Sequence, residues 1–531
     1  MKRAYTAALT GQGGEGKHKY EELLSLAEEA DRGSRAPERT SMEKDTVKLS
    51  LVEVEGHPKN FSKRQKCRWH ILVAGIIGTL LLLYWTVVPY GPPAPLSCDT
   101  WQHGFMCQPE ISQFWGQYSP YFTVPSEIPT EVPDQCQISF VQILSRHGAR
   151  DPTASKTKRY NATVQKIHAN ATSYSKDYAF IKDYEYTLGA DLLSVFGEQQ
   201  MVNSGKKFYY RYQDLARHVT PFIRSSGQDR VVESAQNWTQ GFHDARLVDL
   251  PSAHDGYPYS ILVISEDAGQ NNTLDHGLCT VFENSTVGDS AQKEWVDAFI
   301  PPITTRLNMN LPGANLTDED TIHVMDLCPF NTVASPIGTL SPFCNLFTEQ
   351  EWRSYDYYQS LGKYYGYSWG NPLGATQGVG FTNELIARLT ATPVDDHTST
   401  NHTLDDSEET FPIGAETALY ADFSHDNDLT GIFSAMGLYN ETQPLLNTTL
   451  EDVQEMKGYS ASWTVPFAAR AYFEKMTCVG EPEEYVRVLV NDRVLPLKTC
   501  GGDEFGRCTL TAFLESLSFA KAGGHWEECS V

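Results

Sequence analysis

Ile138-Ser139-Phe140-Val141-Gln142-Ile143-Leu144-Ser145-Arg146-His147-Gly148-Ala149-Arg150 carries an apolar, β-branched run straight into two arginines, a histidine and a glycine. The run predicts a buried strand whose carboxyl end opens into a loop. In open α/β sheets, ligands bind outside the carboxyl ends of the strands. Two guanidiniums supply forked donors for an anion, an imidazole is a nucleophile, and a glycine lets the backbone approach a bound group closely. A second run, Ala418-Leu419-Tyr420-Ala421-Asp422-Phe423, ends in Ser424-His425-Asp426-Asn427. Parallel pairing of the two strands would bring both polar ends, about 280 residues apart, to one sheet edge.

Of the 531 residues, 40% are hydrophobic and 11% aromatic, a composition that builds cores, so most of the chain is expected to fold. Charge is unevenly spread. Residues 1–69 hold 14 Lys+Arg and 11 Asp+Glu, a net of +3, which leaves −28 on the remainder. That balance excludes nucleic acid as a partner, since phosphate-backbone binding needs a broad basic surface. An anionic substrate must be held by a local basic pocket.

Residues 1–69 are polar, lack aromatic spacing and read as a disordered cytoplasmic tail. The next stretch, 70–90, contains twenty uncharged residues, ILVAGIIGTLLLLYWTVVPY, enough for one transmembrane helix. Lys63, Arg64, Lys66 and Arg68 precede it and no charge follows it through residue 95, so it is read as a signal-anchor with a type II topology. A Pro-rich spacer, 91–97, leads to the domain at 98–531. The catalytic part is then expected outside the cytoplasm, luminal or extracellular, where release by cleavage stays open.

Ten of the eleven cysteines lie beyond the apolar run, which suggests five disulfides in an oxidising compartment. Glycosylation acceptors occur at Asn161, Asn170, Asn237, Asn271, Asn284, Asn315, Asn401, Asn440 and Asn447. Strand-like runs alternate with helical stretches such as 190–216 and 384–390, so the layout is α/β with a helical part inserted. The other histidines of this domain show no ligand-like spacing and read as surface or packing residues.

Taken together, R-H-G-A-R and the distant S-H-D-N resemble the histidine acid phosphatases, most nearly the fungal 3-phytases of the phytase A kind. The likeness spans residues 97–531. Among its segments are Trp115-Gly116-Gln117-Tyr118-Ser119-Pro120, Phe196-Gly197-Glu198-Gln199-Gln200 and Gly458-Tyr459-Ser460-Ala461-Ser462-Trp463. It implies a phosphoglycerate-mutase-like fold, a central mixed sheet flanked by helices with a smaller inserted α-helical domain. It implies hydrolysis of a phosphate monoester, with phytate expected as substrate, His147 as nucleophile and Asp426 as proton donor. Arg146, Arg150, Arg230 and His425 would hold the phosphate, and Gln117, Tyr118, Thr153, Lys156, Arg159, Asp326 and Lys363 would line the pocket. Neither metal nor cofactor is implied. The disulfides implied are Cys98–Cys107, Cys136–Cys478, Cys279–Cys529, Cys328–Cys344 and Cys500–Cys508.

Some residues have bland rival readings. Arg230 could pair with Asp229, Asp426 could cap a helix, and Lys156, Lys158 and Arg159 could form a solvated turn. Three positions depart from the family's pattern. Asp151 stands where relatives usually carry Tyr and is expected to pair with Arg150; Val195 replaces a proline; Gly362 replaces a lysine beside Lys363. Two alternatives therefore stay open: a broad-specificity acid phosphatase of the same fold, and a cell-surface binding glycoprotein that lost turnover.

Overall fold

The computed structural model describes residues 99–106, 109–252, 256–414 and 417–530. The expected tail, membrane-crossing run, spacer and Cys98–Cys107 pair fall outside these residues. Among the described residues no helix is long and apolar enough to cross a membrane.

Eight strands form one mixed sheet: β1 (Cys136–Arg146), β2 (Phe222–Ser226), β3 (Ile261–Ile264), β4 (Leu419–Ser424), β5 (Arg470–Cys478), β6 (Tyr485–Val490), β7 (Arg493–Val494) and β8 (Arg507–Thr509). Their order is β8-β6-β5-β1-β4-β2-β3, with β7 paired to β6. The strands β1, β4, β2 and β3 run parallel, whereas β5 is antiparallel to β1 and begins the antiparallel half. The long helices are α1 (Ala154–Asn170), α2 (Val195–Arg211), α3 (Asp229–Val248), α4 (Val287–Asn310), α5 (Asp318–Ala334), α6 (Glu349–Tyr367), α7 (Val379–Thr390) and α8 (Asp426–Ala435).

Successive side chains of a strand point to opposite faces, and β1 uses both. Val141 and Ile143 pack with Phe208, Trp238 and Phe242 of α2 and α3. Phe140 and Leu144 join Phe381, Leu385, Leu429 and Phe433 of α7 and α8 on the opposite face. Every β1 residue from Phe140 to Arg146 is consequently buried. A third core draws Tyr160 and Val164 of α1 together with Leu307, Met325 and Trp352 of α4 to α6. The helical part is thus assembled from two separate stretches, before β2 and between β3 and β4.

The helix expected over 190–216 starts later. Asp191 takes a left-handed backbone (φ 62°), and Ser194 caps α2 by accepting from the Gly197 N–H. At the other end the helix breaks at Tyr212. The expected 384–390 helix is the last part of α7. Disulfides join Cys136–Cys478, Cys279–Cys529, Cys328–Cys344 and Cys500–Cys508, as the resemblance implied. Among the sequons, Asn161, Asn170, Asn284, Asn315 and Asn440 are exposed, whereas Asn237, Asn271, Asn401 and Asn447 are partly buried.

Under the parallel half lies a buried charge network. The Asp422 carboxylate on β4 accepts from Arg224 Nε (2.8 Å), Arg388 Nη1 (2.6 Å) and Gln142 Nε2 (2.7 Å). Arg224 also donates to Glu384 at 2.6 Å. These bonds cross-link β1, β4, β2 and α7. Asp422→Ala would leave two buried guanidiniums short of their counter-charge, so it should cost about 3–5 kcal/mol. Urea unfolding checks this, and an unchanged midpoint would mean that the network contributes no net stability.

Candidate active site

The register of β1 on β4 sets Arg146 opposite Ser424, so the next residues, His147 and His425, emerge side by side. Their rings lie 5.6 Å apart, and the His147 N–H donates to the Ser424 carbonyl at 3.1 Å. The loop that follows is tied down by its backbone. Gly148 N–H donates to Ser234 Oγ of α3 (3.1 Å) and Ala149 N–H to Gln200 Oε1 of α2 (3.0 Å). The glycine was expected to admit a ligand; its close approach is to α2. A Cβ on Gly148 would meet the Gly197 carbonyl oxygen at 2.4 Å.

His147 is fully buried. Its Nδ1 lies 2.8 Å from the Gly148 carbonyl, which can only accept, so Nδ1 carries the hydrogen and Nε2 keeps its lone pair. Nε2 has no partner among the described residues. Burial holds the imidazole well below its ordinary pKa, and Arg146, Arg230 and Arg150 push the same way. The ring therefore stays neutral and nucleophilic into the acid range.

Three guanidiniums surround it. Arg146 Nη1 donates to the carbonyls of Gln117 and Val465, the latter at 2.7 Å, while its guanidinium lies 4.5 Å from the centre of the Phe467 ring. Arg150 Nη1 donates to the Asp151 carbonyl at 2.7 Å, and Arg230 Nη2 faces His425 Nδ1 at 3.4 Å. Arg146 Nε and Nη2, Arg150 Nε and Arg230 Nε are buried donors without hydrogen-bond partners. Burial and mutual repulsion bring the pKa of Arg146 and of Arg230 down to about 10. Such a surplus of buried positive charge and open donors fits a tetrahedral oxyanion.

Asp426 is the first residue of α8, while His425 takes the cap position, so the rival capping role does not describe the carboxylate. That carboxylate lies 3.5 Å from Arg146 Nη2 and accepts from Lys363 Nζ at 2.5 Å. Burial alone would raise its pKa, but Arg146 and Lys363 outweigh that and hold it well below the usual carboxylate range. Arg230 faces His425 and, at 4.0 Å, Asp191, so the rival pairing with Asp229 does not describe it.

Gln117, Tyr118, Arg150, Thr153, Lys156, Lys363 and Asp426 all line one cavity of about 510 Å³. Within it Gln117 donates to Gln359 (2.8 Å) and Lys156 Nζ to the Tyr118 hydroxyl (2.6 Å). Asp326 sits behind Lys156 at 3.5 Å, accepting from the hydroxyls of Tyr160 and Tyr355. Lys156, Lys158 and Arg159 form the start of α1, a helix in place of the solvated turn; Arg159 is exposed, 3.8 Å from Glu319, and lines an adjoining cavity with Lys156. Lys363 is nearly buried and committed to Asp426 and Asn427, so it reinforces the Asp426 end of the site.

The expected Asp151–Arg150 ion pair is replaced by another arrangement. The half-buried carboxylate accepts from the Gly189 backbone N–H, and Arg150 Nη1 donates to the Asp151 carbonyl, so the two charges attract each other without a direct hydrogen bond between them. At Gly362 the amide of Gln292 occupies the space where a side chain would begin, 2.5 Å from an added Cβ. Val195 is exposed at the start of α2.

Residues that spacing did not disclose complete the site. Phe467 and the Val465 carbonyl brace Arg146. Glu266 Oε1 accepts from His425 Nε2 at 2.9 Å. With Asp275 these two place ligand atoms within 4.8 Å of one another, close enough for a cation, yet Glu266 and His425 use theirs on each other. His276, read as a surface or packing residue, hydrogen-bonds Glu283 at 2.7 Å beside this cluster. The short distances in the loop generate a prediction: Gly148→Ala must push His147 from α2, so kcat/KM should fall about 100-fold or more while the chain still folds. Steady-state kinetics beside a thermal melt decides it; wild-type rates would show that the loop has room to spare.

The geometry agrees with what the chain is similar to. Residues 137–491 match the histidine phosphatase superfamily (branch 2). Phytase A of Aspergillus oryzae is 53% identical over 457 residues, covering 85% of this chain and 97% of that protein. Phytase A of Aspergillus fumigatus is 54% identical over 437 residues, 82% and 94% respectively. Among solved structures, the phytase from D. castellii superposes with a TM-score of 0.65 at 26% identity, covering 79% of this chain and 87% of that one. The chain thus belongs to branch 2 of the histidine phosphatase superfamily, with the two strand-end motifs, R-H-G-A-R and S-H-D-N, at its centre.

Proposed function

We propose that the chain hydrolyses phosphate monoesters, phytate foremost, through a phosphohistidine formed on His147 Nε2. The observation that carries this reading is a buried, neutral imidazole whose free Nε2 faces three arginines with unmet donors. In the first step an Nε2–P bond forms as the P–O bond to the alcohol breaks, and Asp426 gives its proton to the departing oxygen. In the second, water attacks phosphorus, the N–P bond breaks and Asp426 takes the water's proton. Arg146, Arg150, Arg230 and His425 compensate the equatorial oxygens throughout.

Asp426 is ionised in the substrate-free site. A bound phosphate offsets the charge of Arg146 and Lys363, raising the carboxyl's proton affinity, so Asp426 gains its proton together with the substrate. Support for phytate comes from the relatives named phytase A and from Lys156 and Arg159 beyond the cradle. A broad-specificity acid phosphatase is the second reading, favoured by Gly362 and by the commitment of Lys363 to Asp426. The run at 70–90 and its basic flank support a type II anchor for a luminal or extracellular domain, and the disulfides and sequons support the same side.

Phosphate release from phytate and from an aryl phosphate, measured with the full chain in detergent, should peak below about pH 6. His147→Ala should abolish both activities. Asp426→Asn should slow phytate turnover by about 100-fold or more yet largely spare phosphoenzyme formation from the aryl ester, whose leaving oxygen needs no proton. Equal turnover of both substrates by the wild type would select the broad phosphatase, and an optimum above neutral would sink the acid mechanism. For the anchor, alkaline carbonate washing of membranes should leave the full chain in the pellet; its release would refute a spanning helix.

A further inference from the structure

Three parallel strands end together beside the cradle, and each delivers one member of a chain of hydrogen bonds. Ser226 closes β2, Glu266 lies two residues past β3, and His425 follows β4. Glu266 Oε1 accepts from Ser226 Oγ (2.5 Å), from the Gln228 N–H (3.2 Å) and from His425 Nε2 (2.9 Å). A carboxylate cannot donate when ionised, so Nε2 of His425 carries a hydrogen and the ring's orientation is set from behind. The other nitrogen, Nδ1, then faces Arg230 Nη2 at 3.4 Å and the His147 ring. An arginine only donates, so Nδ1 here holds a lone pair. Donating from Nδ1 to a phosphate oxygen instead requires a second proton on His425.

We propose that Glu266 is a positioning residue that aims His425 Nδ1 at the phosphate and supplies the counter-charge for the proton His425 takes up when the anion binds. This rests on the phosphatase reading above. The proton comes from solvent, Nδ1–H donates to the anion, and Arg230 turns from Nδ1 to the same anion. Other charged groups face His425: Asp275 from the loop after β3, Asp426 and Asp428 at the start of α8, Arg230 from α3 and His147 from the loop after β1. Burial raises Asp275 above its ordinary value and Asp428 to about 7. For Glu266, burial is outweighed by the hydrogen bond from His425 and the charge that ring carries when protonated, with Ser226 and the Gln228 N–H adding to them, which together bring it to about 2. Glu266 is thus the carboxyl hydrogen-bonded to the ring that is held below its ordinary value, whereas Asp275 and Asp428 are raised and Asp426, also lowered, is committed to Lys363 and Arg146.

The test compares wild type, Glu266→Gln, Glu266→Asp and Glu266→Ala as full chains, in two measurements. The first is kcat and KM for an aryl phosphate from about pH 4 to about pH 7. The second is calorimetric binding of inorganic sulfate in buffers of different ionisation enthalpy. Sulfate remains a dianion over this range, so any proton taken up belongs to the protein. Glu266→Gln keeps an acceptor and loses the charge. Its KM should exceed wild type about tenfold near pH 6.5, converge toward pH 4, and leave kcat within about threefold, one pKa unit being a factor of ten. Near pH 6.5 it should also take up fewer protons per sulfate than wild type, and Glu266→Asp should recover part of both effects. A KM profile and proton uptake equal to wild type would overturn the proposal, as would a loss of the same size at every pH, which marks a packing role. Should Glu266→Ala fail to fold, the Gln and Asp variants carry the comparison. If wild type neither turns over the ester nor binds sulfate, it is the phosphatase reading that fails, and this proposal falls with it.

Discussion

The register between β1 and β4 is the constraint on which the site depends. Those strands are separated by the whole helical part of the chain, yet their pairing places Arg146 level with Ser424 and so makes neighbours of His147, His425 and Asp426. A slip by one residue would turn each strand's inward set outward. Several features oppose a slip. Both faces of β1 are packed, and Asp422 binds Gln142 of the neighbouring strand together with Arg224 and Arg388. The buried ions under the sheet thereby hold in place the ions that work at its edge.

Those two sets of buried charge differ in kind. Under the sheet each guanidinium meets a carboxylate within hydrogen-bond distance. At the edge, Arg146 lies 3.5 Å and Arg230 4.0 Å from a carboxylate, and Arg150 has no ion pair among the described residues, in a domain whose overall charge is strongly negative. Concentrating positive charge there costs stability, because like charges repel and each has lost water. It also gathers positive potential at one sheet edge of an otherwise negative domain. His147 shares in this arrangement, since burial and the same guanidiniums keep the ring unprotonated.

The parts legible in the sequence are those whose residues lie next to one another. The apolar runs of β1 and β4 and the polar groups at their ends are local, and the chemistry of the arginines and histidines follows from their types. Where a side chain's partner comes from elsewhere in the chain, spacing said little. Glu266 stands among ordinary loop acids, and only three strand ends meeting in space reveal it beside His425. Phe467 lies in an unremarkable turn, yet its ring faces Arg146. Asp151 shows the converse: adjacency to Arg150 suggested a pair, but the loop's path brings the Gly189 N–H to the carboxylate first. Lys363 could be placed in the pocket by resemblance, whereas its commitment to Asp426 depends on how α6 packs against α8.

The Cys279–Cys529 bond joins residues 250 positions apart, and Phe282, Glu283 and Ser285, which line the cavity, come just after Cys279. One wall of the cavity is consequently stapled to a segment made much later. During synthesis this wall cannot be covalently closed until Cys529, the third residue from the end of the sequence, has been made and oxidised. Maturation of the cavity is therefore a redox event as well as a folding one.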